Sequence, residues 1–291
     1  MNTDQKTCQT LEVAESLALA EDVYSLTLEY SAEGAPRTVR PGQFVGVYPN
    51  DTAHLLPRPI SICGWDAAGR RLRLVYRIVG SGTRELSRLR IGDRVRVLGI
   101  LGNGYDVLSL KGKRLLLLGG GIGAPPLLGL AQALQEENAS EVSACGFAAD
   151  GGAPGTAPGS RITSVLGYRT KAFFLTEEFA KVGRLVVATD DGSAGFHGNA
   201  VEAARTLIAG EGANFDVIAA CGPLPMLRGV KALSRELEIP AYLSLEERMA
   251  CGIGACLGCV TRTAQVDGHS HVRNTRICTE GPVFPAEEVE L

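Results

Sequence analysis

Histidine is scarce in this chain. His54, His197, His269 and His271 stand in no metal-ligand or triad spacing and are read as surface or loop residues. The sequence carries neither a G-x-S-x-G elbow nor a pair of carboxylates placed for acid–base work. A site for an organic substrate, with its own acid or base, is therefore not visible. An excess of one charge is missing too: 29 Lys and Arg against 32 Asp and Glu leave a net −3. That balance argues against nucleic acid or an anionic membrane as a partner. The opening residues MNTDQK hold no apolar segment, so no signal peptide is expected. The longest apolar run, 115–134, is cut by Gly119-Gly-Gly-Ile-Gly-Ala-Pro-Pro126. It reads as a buried strand, a tight turn and a helix, with no membrane insertion.

Cysteine is what the chain does have. Eight cysteines without an export signal point to a reducing, cytoplasmic setting and to metal ligation instead of disulfides. Cys8, Cys63 and Cys145 are read as small buried hydrophobes. The other grouping is Cys251, Cys256 and Cys259 with a distant Cys278, the C-x4-C-x2-C…C spacing of a plant-type [2Fe–2S] cluster. Two irons each need two thiolates, so three ligands come from one tight loop and a remote segment closes the fourth corner. Gly252, Gly254 and Gly258 lie between the ligands, where unusual backbone angles and N–H groups close to sulfur are needed. A four-cysteine structural zinc site is the competing reading, although zinc ribbons usually pair two C-x2-C knuckles and only one is present.

The pattern along the chain is that of a multi-domain β plus α/β protein. Residues 9–106 alternate apolar and polar positions, as in Tyr24–Tyr30 and Leu72–Val79, and about six short strands without crossover helices suggest an antiparallel barrel. Glu85–Leu89 reads as one helical turn. From Lys111, continuous apolar strands are expected at 114–118, 141–147, 185–189 and 215–220, with helices over 127–134, 198–208 and 225–238. Strands alternating with helices imply a parallel sheet. Residues 150–160 read as a surface loop, and the last fifty residues as cysteine-bearing with little regular structure. The expected division is 1–110, 111–240 and 241–291.

Three further constellations point to nucleotides. Gly119, Gly121 and Gly123 form G-x-G-x-x-A between a strand and a helix, either a phosphate-binding turn or simply a tight one. Asp150 is the nearest acidic residue for a ribose. Arg58-Pro59-Ile60-Ser61 opens a strand, where arginine can pair with a pyrophosphate and serine can reach a flavin nitrogen, or it is an ordinary strand entrance. Arg77 and Gly80-Ser81-Gly82-Thr83 add weight to the first. Cys221-Gly222-Pro223 ends a strand, so Cys221 either faces a nicotinamide or is a buried structural thiol.

Together these pieces resemble the ferredoxin-reductase-like superfamily and, more closely, the electron-transfer subunits of class B, NAD-dependent dihydroorotate dehydrogenases. The resemblance rests on Arg58–Cys63, Gly82–Leu86, Leu98–Gly104, Cys251–Cys259 and Cys278–Phe284. It implies an FAD-binding barrel, an NAD-binding domain and a small iron–sulfur domain. It also implies FAD held by Arg58, Pro59, Ile60, Ser61, Val75, Tyr76, Arg77, Gly82 and Thr83. The partner implied is an FMN-containing catalytic subunit in a heterotetramer of two plus two, with electrons passing through [2Fe–2S] and FAD to NAD+. Alternatives on the same modules are an NAD(P)H–ferredoxin or sulfide oxidoreductase subunit and a hydrogenase diaphorase arm; a zinc-bearing binding module is the alternative of another class.

Overall fold

The structure, a computed structural model, describes residues 7–51, 53–145, 162–266 and 271–291. Asp150, His269 and the 150–160 segment lie outside them. The chain divides into two compact units, one made of 1–105 with 244–291 and the other of 106–243.

In the first unit six strands close a barrel: β1 (Cys8–Ala20), β2 (Val23–Glu29), β3 (Phe44–Tyr48), β4 (Arg58–Asp66), β5 (Arg71–Arg77) and β6 (Arg94–Leu101), in the order β1-β2-β5-β4-β3-β6. Closure follows from the alternation in the sequence. In Arg94-Val-Arg-Val-Leu-Gly-Ile-Leu101 every second side chain is buried, so one face fills the barrel and the other meets water. Leu26, Leu28, Leu72, Leu74, Val95 and Val97 form the core. The expected helical turn begins earlier than read, as α1 (Ser81–Leu86). Cys63 is buried as expected, but Cys8 is exposed, because β1 starts on its outward phase. Only the backbone of Cys145 is described, at the end of a helix.

The second unit holds α2 (Val107–Leu110), β7 (Leu115–Gly120), a 3-10 turn (Gly121–Gly123), α3 (Ala124–Cys145), β8 (Ile162–Tyr168), α4 (Thr176–Val182), β9 (Arg184–Thr189), β10 (Phe196–His197), α5 (Ala200–Glu211), β11 (Val217–Cys221), α6 (Leu224–Leu237) and β12 (Ala241–Ser244). Its strands run β10-β9-β8-β7-β11-β12. β7 pairs in parallel with both β8 and β11 and is buried along its whole length, which is why it reads as an unbroken apolar run. Asn199 starts α5 with a capping box: its side chain accepts from the Val201 and Glu202 amides, both at 3.0 Å, and Glu202 returns the bond. The strand expected at 141–147 is not formed over its described part. The helix begun at Ala124 runs on to Cys145, through a stretch rich in Ala, Gln and Glu that holds no Gly or Pro after Gly129. β8 takes the place beside β7.

The tail returns to the first unit. β13 (Val260–Thr263) lies between β14 (Asn274–Arg276) and β16 (Val289–Glu290) in a small antiparallel sheet, with β15 (Val283–Pro285) before β16. Regular structure is thus richer here than the sequence suggested. No described helix is long and apolar enough to cross a membrane.

Candidate iron–sulfur and dinucleotide sites

The four cysteines converge. Cys251 and Cys256 come from the loop before β13, Cys259 stands at its start, and Cys278 follows β14. The Ile277 amide donates to the Cys259 carbonyl at 3.0 Å and so ties the remote segment to the loop. The loop folds because Gly252 and Gly254 adopt φ of 68° and 87°. Gly258 is not left-handed, whereas Leu257 is, at 57°; Gly258 offers its N–H to the Cys256 sulfur at 3.4 Å, as expected of these glycines. The Ile253 and Cys256 amides point at the Cys251 Sγ, each at 3.4 Å. Burial pushes the Cys251 thiol up, but these donors and the Cys256 side chain outweigh it and bring it down to about 6. Burial, then the Cys259 side chain, pushes Cys278 up to about 12. Four thiolates therefore need a cationic group among them.

The Cys256 amide donates to the Cys251 Sγ, and the Ile277–Cys259 backbone bond sets the segment of Cys278 beside Cys259. A donor set of four thiols, three from one tight loop with N–H groups aimed at sulfur and one from a remote segment tied to it, is what a binuclear cluster asks of these residues. Cys259 and Cys278 are buried whereas Cys256 is exposed, so the site has an inner and an outer edge.

Asn103, not singled out from the sequence, fastens this tail to the barrel. Its side-chain amide donates to the carbonyls of Glu280 at 2.8 Å and Val283 at 2.7 Å, while the Val283 amide donates back at 3.2 Å. The partners lie about 180 positions away, beyond any local pattern. Asn103→Ala strands these groups. We expect a loss of roughly 2–3 kcal/mol and faster bleaching of the cluster, read by thermal melting and by visible absorbance over time.

On the barrel, the β4–β5 ladder runs from Ile62↔Leu74 to Asp66↔Arg71. Arg58–Ser61 and Val75–Arg77 lie beyond it, forming two adjacent lips. Ile60 and Tyr76 join the barrel core, Tyr76 stacking on Tyr24 with centroids 6.2 Å apart, and Val75 is buried on the opposite face of β5. Arg58, Pro59, Ser61 and Arg77 keep access to solvent. Arg58 rests on Gly82, where an added Cβ would stand 2.5 Å from Nη2. The Thr83 hydroxyl is occupied locally, accepting from the Val79 amide at 2.9 Å and the Gly80 amide at 3.2 Å. It shapes the turn.

In the second unit the chain leaves β7 toward β8 on one side and later returns to β11 on the other. This is the reversal of strand order beside which open α/β sheets bind ligands, at the carboxyl ends. Gly119 sits opposite Cys221 there. A Cβ on Gly120 would lie 2.8 Å from Met226 Sδ, and one on Gly123 would enter the Cys221 carbonyl. Gly222 has φ of 157° and approaches the Gly120 backbone. Gly121 has φ of 53° with open space around it. Cys221 itself is fully buried. The two strand ends thus present bare backbone, as a pyrophosphate requires.

Residues 246–290 match the iron–sulfur cluster binding domain of dihydroorotate dehydrogenase B. The chain is 42% identical over 286 residues to the Bacillus caldolyticus dihydroorotate dehydrogenase B (NAD(+)) electron transfer subunit, spanning 97% of this chain and 98% of that one. The Shouchella clausii protein of the same name is 38% identical, with 97% of each covered. This chain belongs to the family of dihydroorotate dehydrogenase B electron-transfer subunits. As a member it is a subunit of an oxidoreductase, working with FAD, [2Fe–2S] and NAD. Among solved structures, an NADH-dependent reduced ferredoxin-NADP oxidoreductase aligns with a TM-score of 0.77 at 29% identity, over 96% of this chain and 89% of that one. The reductase-like architecture of barrel, parallel sheet and iron–sulfur tail is thus shared along the chain. Membership also brings a catalytic-subunit partner.

Proposed function

We propose that this chain carries electrons from an FMN-containing subunit that oxidises dihydroorotate, within a two-plus-two heterotetramer serving pyrimidine (UMP) biosynthesis in the cytoplasm. The observation that carries the proposal is the convergence of the four cysteines on one loop and one tied remote segment, with an exposed edge at Cys256, in the same compact unit as the flavin lips. When bound, the cluster passes single electrons and the flavin collects two for hydride delivery to NAD+. Cys251, Cys256, Cys259 and Cys278 ligate the irons. Arg58 neutralises the FAD pyrophosphate, with Gly82 leaving room beneath it; Pro59, Ile60, Ser61, Val75, Tyr76, Arg77 and Thr83 shape the flavin seat. Gly119, Gly121, Gly123 and Gly222 admit NAD close to the backbone. Cys221 closes that floor from below, since its burial favours the structural reading of this thiol. By cofactor the chain divides as 1–110, 111–240 and 241–291.

Arg58→Ala tests the flavin seat. Loss of a charged hydrogen-bonding partner should weaken FAD binding about 10- to 100-fold, measured by flavin fluorescence after dialysis. Full FAD retention would remove Arg58 from the pyrophosphate. A second reading, a ferredoxin-linked NADH oxidoreductase subunit, draws on the 29% identical structure. The co-purifying partner decides: an FMN protein that oxidises dihydroorotate supports the first reading, and a larger flavin and [4Fe–4S] subunit the second.

A further inference from the structure

His54 belongs to no motif, yet it is held among three groups. Its Nε2 lies 2.7 Å from the Ser81 hydroxyl at the start of α1. Its Nδ1 faces the Glu85 carboxylate at 3.4 Å and that of Asp51 at 3.7 Å. Ser81 and Glu85 are four residues apart, one helical turn, so the ring spans the outer side of α1. The Nε2–Ser81 contact is a hydrogen bond, whereas Nδ1 and Glu85 Oε2 make none, so the ring meets the carboxylates through electrostatic attraction alone. The segment that bears His54 is itself tied down. The Asp51 amide donates to Glu85 Oε1 at 2.7 Å, and the Ala53 amide to Asp51 Oδ1 at 2.9 Å. It then runs into β4 through Leu56, whose carbonyl accepts from Arg58 Nη1 at 2.6 Å.

These bonds link two parts of the chain that are distant in sequence. One is the β4 entrance with Arg58, the other the α1 turn with Gly82, and the guanidinium sits on that glycine. We infer that His54 is a positioning residue for the flavin dinucleotide, pinning Asp51 and residues 53–56 to α1 so that Arg58 is held over Gly82 before the pyrophosphate arrives. The inference rests on the reading of Arg58 as the pyrophosphate partner. Pre-setting an arginine lowers the ordering cost of binding, so its loss appears in affinity and not in the chemistry that follows.

The test titrates FAD into the flavin-stripped full-length chain, following flavin fluorescence, for wild type, His54→Ala, His54→Asn, Glu85→Gln and Arg58→Ala. His54→Ala should raise the FAD dissociation constant by about 5- to 20-fold, since roughly one to two kcal/mol of hydrogen bonding is lost. Glu85→Gln should raise it less, and His54→Asn should recover little, because its shorter amide stands at the Nδ1 position and does not reach Ser81. At saturating FAD, NADH-to-dye turnover of His54→Ala should return to wild type, whereas a residue touching the reacting ring would leave turnover depressed. Wild-type affinity in His54→Ala alongside weakened affinity in Arg58→Ala overturns this inference alone. Wild-type affinity in both overturns the flavin-seat reading beneath it. Thermal melting of each variant identifies general unfolding, and weakened FAD binding by His54→Ala with an unchanged melt of the flavin-free chain supports positioning.

Discussion

Cys256→Ser, introduced into the assembled complex, should abolish electron flow from the catalytic subunit to NAD+ while NADH-driven reduction of a soluble dye survives in part. Cys256 forms the exposed edge of the four-thiol site and accepts the Gly258 amide. Serine keeps the size but removes the soft thiolate that iron requires. Its exposure makes general unfolding a small part of the effect, because no core contact is lost. Cluster-dependent flow should fall at least ~100-fold, beyond the loss seen when an outer partner of a ligand is removed. The dye reaction uses only flavin and nicotinamide and needs no cluster. Stopped-flow reduction of each centre separates the two routes. Both activities intact would mean that the order of carriers is wrong.

Gly123→Ala should be strongly damaging to the second unit. The added Cβ enters the Cys221 carbonyl and lies 2.6 Å from the Gly222 nitrogen, and neither is a side chain that can rotate away. Overpacking against backbone costs about 3 kcal/mol. The strand ends must part, which also spoils the floor proposed for NAD. Gly121→Ala supplies the contrast: its Cβ meets open space, so only the φ of 53° resists it, at roughly 1–2 kcal/mol. The expected result is a lower melting temperature and a raised KM for NADH in Gly123→Ala, with far smaller changes in Gly121→Ala. Equal effects would show that backbone strain, not close approach, governs this turn.

Much of this was legible because the decisive features are local. The cysteine spacing, the glycine turn after an apolar strand and the period-two barrel strands each fall within a few residues, where backbone geometry dictates residue type. What escaped reading is non-local or depends on competition. Asn103 and His54 act on partners far along the chain, and no spacing rule exposes them. The strand expected at 141–147 lost to helix because the residues before Cys145 favour helix, and β8 alternates too weakly to stand out. In the cysteine loop Leu257, a residue type that rarely takes the left-handed angle, adopts it beside Gly258, and nothing in the spacing announces that.

The most direct check is chemical: iron, acid-labile sulfide, zinc and flavin measured on the chain purified without air. Iron and sulfide in equal amounts, with one FAD per chain and visible colour that dithionite bleaches, is the expected outcome. Zinc without sulfide, or a colourless protein, would contradict it.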